Sequence, residues 1–247
     1  MKLAPILLHL LLVVAASLTP VVETSQEGLF PEGVVFVARR NLADEKDLFP
    51  EEIQAMSRAA PARLHEFALG RHCARVALAQ LGGPNVAIPM GRFRDPMWPF
   101  GYVGTITHCR GFCAAAVARI IPGGGSRTIR GIGLDCEPSM PLPEELPGLV
   151  CSEEECAWLA GRQGDHLPWD RLFFCAKESA YKCVFPATHQ YLEFRDLGVR
   201  FAPERGAFTV SLPDLGPQLP RLLMGRYTIG DDLVLAGTTW TEEPWCP

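Results

Sequence analysis

Gly131-Ile132-Gly133-Leu134-Asp135-Cys136-Glu137-Pro138 decides how this chain is read. On a strand, alternate side chains share a face. Ile132, Leu134 and Cys136 then point one way, toward a core. Gly131, Gly133, Asp135 and Glu137 point the other way, so two carboxylates stand side by side over a bare glycine floor. Like charges that close repel, which asks for something positive between them. A hard divalent cation such as magnesium suits carboxylate oxygens. Two solvated acids at an exposed strand end account for the same residues equally well at this point.

A second acidic stretch follows, Phe173-Phe174-Cys175-Ala176-Lys177-Glu178-Ser179-Ala180-Tyr181-Lys182. On a helix, Lys177 and Tyr181 are four residues apart, as are Glu178 and Lys182, so each pair shares a face. Taken alone this is an ordinary Glu-to-Lys surface pair, worth about 0.2–0.5 kcal/mol.

The flanking sequence supplies the frame. A chain of 247 residues is long enough for one large domain or two small ones. With 48% hydrophobic and 21% charged residues it is globular in composition, and a net charge of −5 argues against a nucleic-acid partner. Val34–Val37 reads as a short strand, and Ile53 to Leu81 as helical until Gly82-Gly83-Pro84 stops it. Val103 to Ile121 suits strand, turn, and then strand or short helix. Pro122-Gly123-Gly124-Gly125-Ser126 is the best internal break. Thr128–Glu137 is a strand. Ser152, with Glu155 three residues later, starts a helix through a capping box. Asp170 can cap another helix, running to about Val184 and ended by Pro186. Tyr191 to Trp240 reads as strands and turns.

The nine cysteines are odd in number, irregular in spacing and contain no Cys-x-x-Cys, which points to buried thiols in a reducing compartment. A zinc site at His108, Cys109 and Cys113 is the sharper rival but lacks a second ligand cluster. The apolar run Leu3 to Leu18 has the outline of a secretory signal, yet also fits a buried element of the fold. It is short for a membrane span. The folded reading is preferred because the chemistry below needs a cytoplasmic setting.

The two acidic stretches together resemble the paired signatures of 4′-phosphopantetheinyl transferases. The likeness is closer to the broad-range type that includes the enterobactin-synthase component D and mycobacterial enzymes. Gly70-Arg71-His72-Cys73-Ala74-Arg75, Pro96-Met97-Trp98-Pro99 and Gly104-Thr105-Ile106-Thr107-His108-Cys109 fit that subgroup in the expected order. The resemblance runs from about Ala62 to Pro186.

The resemblance implies an α+β fold of two pseudo-symmetric halves, residues 1–122 and 123–247, with the site in the cleft between them. It implies that Asp135, Glu137 and Glu178 hold magnesium. Glu178 becomes the candidate general base, and Lys182 and Lys177 bind the coenzyme A pyrophosphate, Lys182 also acting in catalysis. Arg63, Arg71, Arg94 and His108, with Thr107 nearby, bind the coenzyme A 3′-phosphate; Arg92 is an alternative to Arg94. The implied reaction moves phosphopantetheine from coenzyme A to a serine of a carrier protein of fatty-acid, polyketide or nonribosomal-peptide synthases, siderophore synthases among them. The implied protein is a cytoplasmic monomer with no nucleic-acid or membrane partner. A magnesium-dependent phosphohydrolase acting on a nucleotide would need the same carboxylates, and a non-catalytic scaffold could keep the same fold.

Overall fold

The computed structural model describes residues 28–40, 48–120, 128–162 and 164–242. The N-terminal apolar run, the Pro122–Ser126 break and Cys246 lie outside the described residues.

The first sheet has three antiparallel strands, β1 (Val34–Arg40), β2 (Tyr102–Cys109) and β3 (Phe112–Arg119), in the order β1-β3-β2. Arg110 and Gly111 both have positive φ, 47° and 76°, which suits the tight hairpin joining β2 to β3. The second sheet has five antiparallel strands. They are β4 (Ile129–Pro138), β5 (Gly198–Ala202), β6 (Ala207–Ser211), β7 (Leu222–Ile229) and β8 (Leu233–Thr241), in the order β4-β8-β7-β6-β5.

Among the described residues there are also five α-helices: α1 (Pro50–Ala55), α2 (Pro61–Gln80), α3 (Pro147–Val150), α4 (Glu153–Ala160) and α5 (Trp169–Thr188). The single helix expected over Ile53–Leu81 is thus two. Pro61 at the start of α2 has no N–H to continue α1, so the chain breaks there and restarts. The capping box at Ser152 is present, with Ser152 Oγ accepting from Glu155 N at 3.2 Å and Glu155 accepting from Ser152 N at 2.8 Å. Asp170 does not cap α5; Pro168 holds that position, and the Asp170 carboxylate accepts from Leu142 N instead. Nor does Pro186 end α5. The helix runs two residues further and closes at His189, which takes a left-handed φ of 49°.

Helix α2 covers the first sheet, burying Leu69, Cys73, Ala77 and Leu78 against Val37, Cys113, Ala115 and Val117. Helix α5 covers the second, burying Leu172, Cys175, Ala176 and Val184 with Phe208, Val210, Val234 and Ala236. Between the sheets, Ala114, Ala116 and Ala118 of β3 join Ile132, Leu134, Leu233 and Leu235 in a shared cluster. A helix on each outer side and two sheets inside make an α+β architecture. The edge strands β2 and β4 meet side by side, where Cys136 N donates to Thr107 Oγ1 at 3.2 Å.

Candidate active site

The alternation of β4 fixes the acidic face. Ile132, Leu134 and Cys136 enter the inter-sheet cluster, which turns Gly131, Gly133, Asp135 and Glu137 toward α5. The glycines are not an open floor for a ligand. A Cβ at Gly133 would run into the carbonyl oxygen of Ser179, and one at Gly131 would lie 2.5 Å from that of Cys183. Glycine lets the α5 backbone lie directly on β4, and that close approach delivers Lys182 to Asp135, Nζ to Oδ1 at 2.5 Å.

Asp135 is 5% exposed. Its Oδ1 takes Lys182 and, at 3.4 Å, the Thr107 hydroxyl, while the buried Oδ2 has no hydrogen-bond partner. Leaving a charged acceptor buried and unpaired is costly, at about 1–3 kcal/mol or more. Burial, and then the charge of Asp135, push the carboxyls of both Glu137 and Glu178 above the usual range, with Lys182 opposing in each case. Burial pulls the Lys182 ammonium down, but the charge and hydrogen bond of Asp135 more than offset it, and its pKa is raised. Three oxygen-donor acids within electrostatic reach of one another, one with an orphaned oxygen, fit a hard cation in kind. Among the described residues, no three His, Cys, Asp or Glu side chains converge tightly enough to grip an ion as placed. As placed, one oxygen of Asp135 is paired with Lys182, and one oxygen of Glu137 with Arg171 at 2.9 Å. The same finding leaves no zinc cluster at His108, Cys109 and Cys113.

The first half contributes a basic group. His108 lies on β2 and Arg63 on α2, and Arg63 Nη1 touches His108 Nε2. Arginine has only donors, so Nε2 is the acceptor and the ring proton sits on Nδ1. That nitrogen faces Glu66 Oε2 at 3.5 Å, and the same oxygen takes Arg63 at 3.2 Å. Burial and then Arg63 hold the His108 imidazole below its ordinary range; Lys182 and Asp135 also act on it. The basic group and the acidic strand therefore share one electrostatic neighbourhood.

Arg71 is buried and donates from Nε to Ile88 O at 2.6 Å. Burial brings it down to about 10, with the neighbouring charges of Arg75 and Arg63 adding to the effect. Arg94 is exposed in a turn with φ 70°. Its neighbour Phe93 packs edge-on against Phe185 of α5, with ring centroids 5.8 Å apart.

Two expected assignments change. Lys177 is fully buried, and its ammonium donates to Val150 O, Glu155 Oε2 and Phe194 O at 2.8, 2.6 and 2.9 Å. All three of its protons are used, so it has none for a pyrophosphate; one residue along a helix is a turn of about 100°, which sends it away from Glu178. Thr107 is 3% exposed, and its hydroxyl is engaged with Asp135 and Cys136 rather than turned to a ligand.

Three residues escaped the sequence reading. Glu66 was legible as an i,i+3 partner of Arg63. Arg171 lies seven residues before Glu178 and so on nearly the same face of α5. Glu52 gave no signal. It is fully buried, accepts from Arg75 at 2.9 and 3.0 Å and from Ile88 N at 2.8 Å, and so fixes the segment whose carbonyl holds Arg71.

Comparison with known proteins agrees with this architecture. Residues 51–118 match the model of the 4′-phosphopantetheinyl transferase N-terminal domain, and residues 131–230 match that of the 4′-phosphopantetheinyl transferase superfamily. The chain is 42% identical over 195 residues to the 4′-phosphopantetheinyl transferase Svp of Streptomyces mobaraensis, covering 76% of each protein. It is 35% identical over 195 residues to the 4′-phosphopantetheinyl transferase PptT of Mycobacterium tuberculosis, covering 78% of this chain and 81% of that one. A shorter match, 33% over 126 residues, joins 49% of the chain to 47% of the enterobactin synthase component D of Salmonella typhimurium. The chain belongs to the 4′-phosphopantetheinyl transferase superfamily and is an enzyme of that kind.

Proposed function

We propose that this enzyme takes the 4′-phosphopantetheine group from coenzyme A and places it on a serine hydroxyl of an apo acyl or peptidyl carrier protein, with magnesium in the site. The observation that supports this most is Asp135. It has one oxygen on Lys182 and the other buried without a partner, beside the basic group of Arg63 and His108. A site of that charge pattern suits a ligand rich in phosphate.

Arg63 and His108 bind the 3′-phosphate, with Arg71 behind them and Arg94 over the cleft. Phosphate binding favours the charged imidazole, so His108 takes up a proton as coenzyme A enters. Lys182 exchanges part of its hold on Asp135 for the diphosphate. Asp135, Glu137 and Glu178 would hold the magnesium, which would supply charge neutralisation for the diphosphate. Glu178 accepts the serine proton, directly or through one bridging water. A bond forms between the serine oxygen and the phosphorus carrying the pantetheine arm. The bond from that phosphorus to the bridging oxygen breaks, and adenosine 3′,5′-bisphosphate leaves with its new charge facing Lys182.

The reading implies a cytoplasmic monomer acting on carriers of fatty-acid, polyketide or nonribosomal-peptide synthases. Among the described residues, no helix is long and apolar enough to cross a membrane. Incubation with coenzyme A, magnesium and an apo carrier, followed by intact-mass measurement, tests the proposal. The expected result is a carrier heavier by one phosphopantetheine unit, lost when magnesium is chelated. Coenzyme A cleaved with no mass added to the carrier would overturn the carrier serine as acceptor.

A further inference from the structure

We propose that Arg171 is a positioning residue that fixes Glu137 for the metal, an inference that rests on the magnesium site proposed above. Glu137 stands at the end of β4, one residue before Pro138, where the strand is about to stop. The ladder with β8 holds its backbone, opposite Val234, but leaves three side-chain torsions free. Arg171 makes up for that. Its Nη1 donates to Glu137 Oε2 at 2.9 Å, its Nε to Met140 O at 3.1 Å and its Nη2 to Pro141 O at 3.1 Å.

Three nitrogens of one planar guanidinium thus meet three separate acceptors, two of them on the backbone. The two carbonyls set the plane, and the plane aims the third nitrogen at the carboxylate. The loop that supplies the carbonyls is itself tied down. Asp170 Oδ2 accepts from Leu142 N at 2.8 Å, and Asp170 Oδ1 accepts from Arg171 N at 2.8 Å. Adjacent residues of the first turn of α5 therefore grip the 140–142 segment, and one of them carries the grip on to Glu137. The pair is largely enclosed, with side-chain exposures of 13% for Arg171 and 22% for Glu137. Engaging one carboxylate oxygen leaves the other to serve a cation.

Charge and geometry make opposite demands here. A cation beside a metal site weakens it through repulsion, whereas a fixed ligand strengthens it through pre-organisation. The two anchoring carbonyls decide for geometry, since a residue serving only as a counter-charge would not need them. Partners that orient a metal ligand typically change affinity by about 10–100-fold when removed.

The test measures binding, not turnover. Manganese(II) is titrated into the whole protein with coenzyme A present and no carrier, and the free ion is followed by its electron paramagnetic resonance signal. Arg171→Gln and Arg171→Lys are compared with the unaltered protein, and Asp135→Asn serves as the site control. Both Arg171 variants should bind manganese about 10–100-fold more weakly. Lysine should not rescue, because a point charge cannot meet three acceptors in a plane. Should Arg171→Gln fail to fold, Arg171→Lys decides alone. Binding equal to or tighter than the unaltered protein, or full rescue by lysine, overturns the inference while leaving the metal site in place. Manganese binding that Asp135→Asn leaves unchanged sinks the metal site itself, and the role of Arg171 with it.

Discussion

Glu178 is held in a setting that disfavours its own charge. It is partly buried, and Asp135 and Glu137 both repel it. Glu137 is placed similarly, with burial and Asp135 raising its carboxyl. A carboxyl raised in the folded state contributes stability that is fully present below the ordinary carboxylate range. That contribution is lost as pH rises through the raised value. The metal-free protein therefore loses some stability, at these two residues, just above the ordinary carboxylate range. Glu178→Gln removes one of the competing charges. Scanning calorimetry at neutral pH without metal should show the variant melting about 1–4 °C higher. If Glu178 is the base proposed above, the same change should lower transfer turnover by about 100-fold or more. A variant that melts no higher and turns over normally would remove Glu178 from the acidic group. Functional residues that cost stability in this way are expected where a site is built for a ligand it does not yet hold.

Between elements, the spacing of β4 and α5 is set by small residues and a buried ion pair. Gly131 and Gly133 let α5 lie on the strand, and from the neighbouring strand β8 Thr238 Oγ1 donates to Ser179 O at 2.9 Å. On its far side α5 is tied to α4 by Lys177. Glu155 takes Lys177 on Oε2, together with Ser152 N at 2.8 Å, and Val199 N on Oε1 at 2.7 Å. One carboxylate thus joins α4, α5 and β5. Lys177→Met leaves that carboxylate buried without its cation, at a cost of about 3–5 kcal/mol. Chemical denaturation should show the loss, and adding Glu155→Gln should recover part of it by removing the stranded charge. A small loss of stability with a large rise in KM for coenzyme A would return Lys177 to the substrate site. Lys177 is therefore assigned to stability, and Lys182 alone of the two keeps the role proposed for it in transfer.

For the molecule as a whole, periodicity explains what was legible. The alternation of Ile132, Leu134 and Cys136 set the buried face of β4, and the i,i+4 spacing of Glu178 and Lys182 put both on one side of a helix. Long-range partners were not legible, because nothing local marks them. Arg171 reaches Glu137 across 34 residues and Arg63 reaches His108 across 45. The burial of Lys177 was hidden for the same reason: its acceptors lie on three separate segments, and a lysine between an alanine and a glutamate reads as solvated. The break before Pro61 had a local signal, since proline removes an N–H and disfavours helical backbone at the residue before it.

Across the seam between the two sheets, Arg63 and His108 share one electrostatic neighbourhood with Asp135 and Lys182. A crystal structure of the enzyme with coenzyme A and magnesium measures this directly. The account predicts the 3′-phosphate against Arg63 and His108, the diphosphate against Lys182, and one ion held by Asp135, Glu137 and Glu178. Coenzyme A bound in the groove of about 950 Å³ between Arg130, Leu215 and Trp240, or an ion that leaves Asp135 on Lys182 alone, would contradict it.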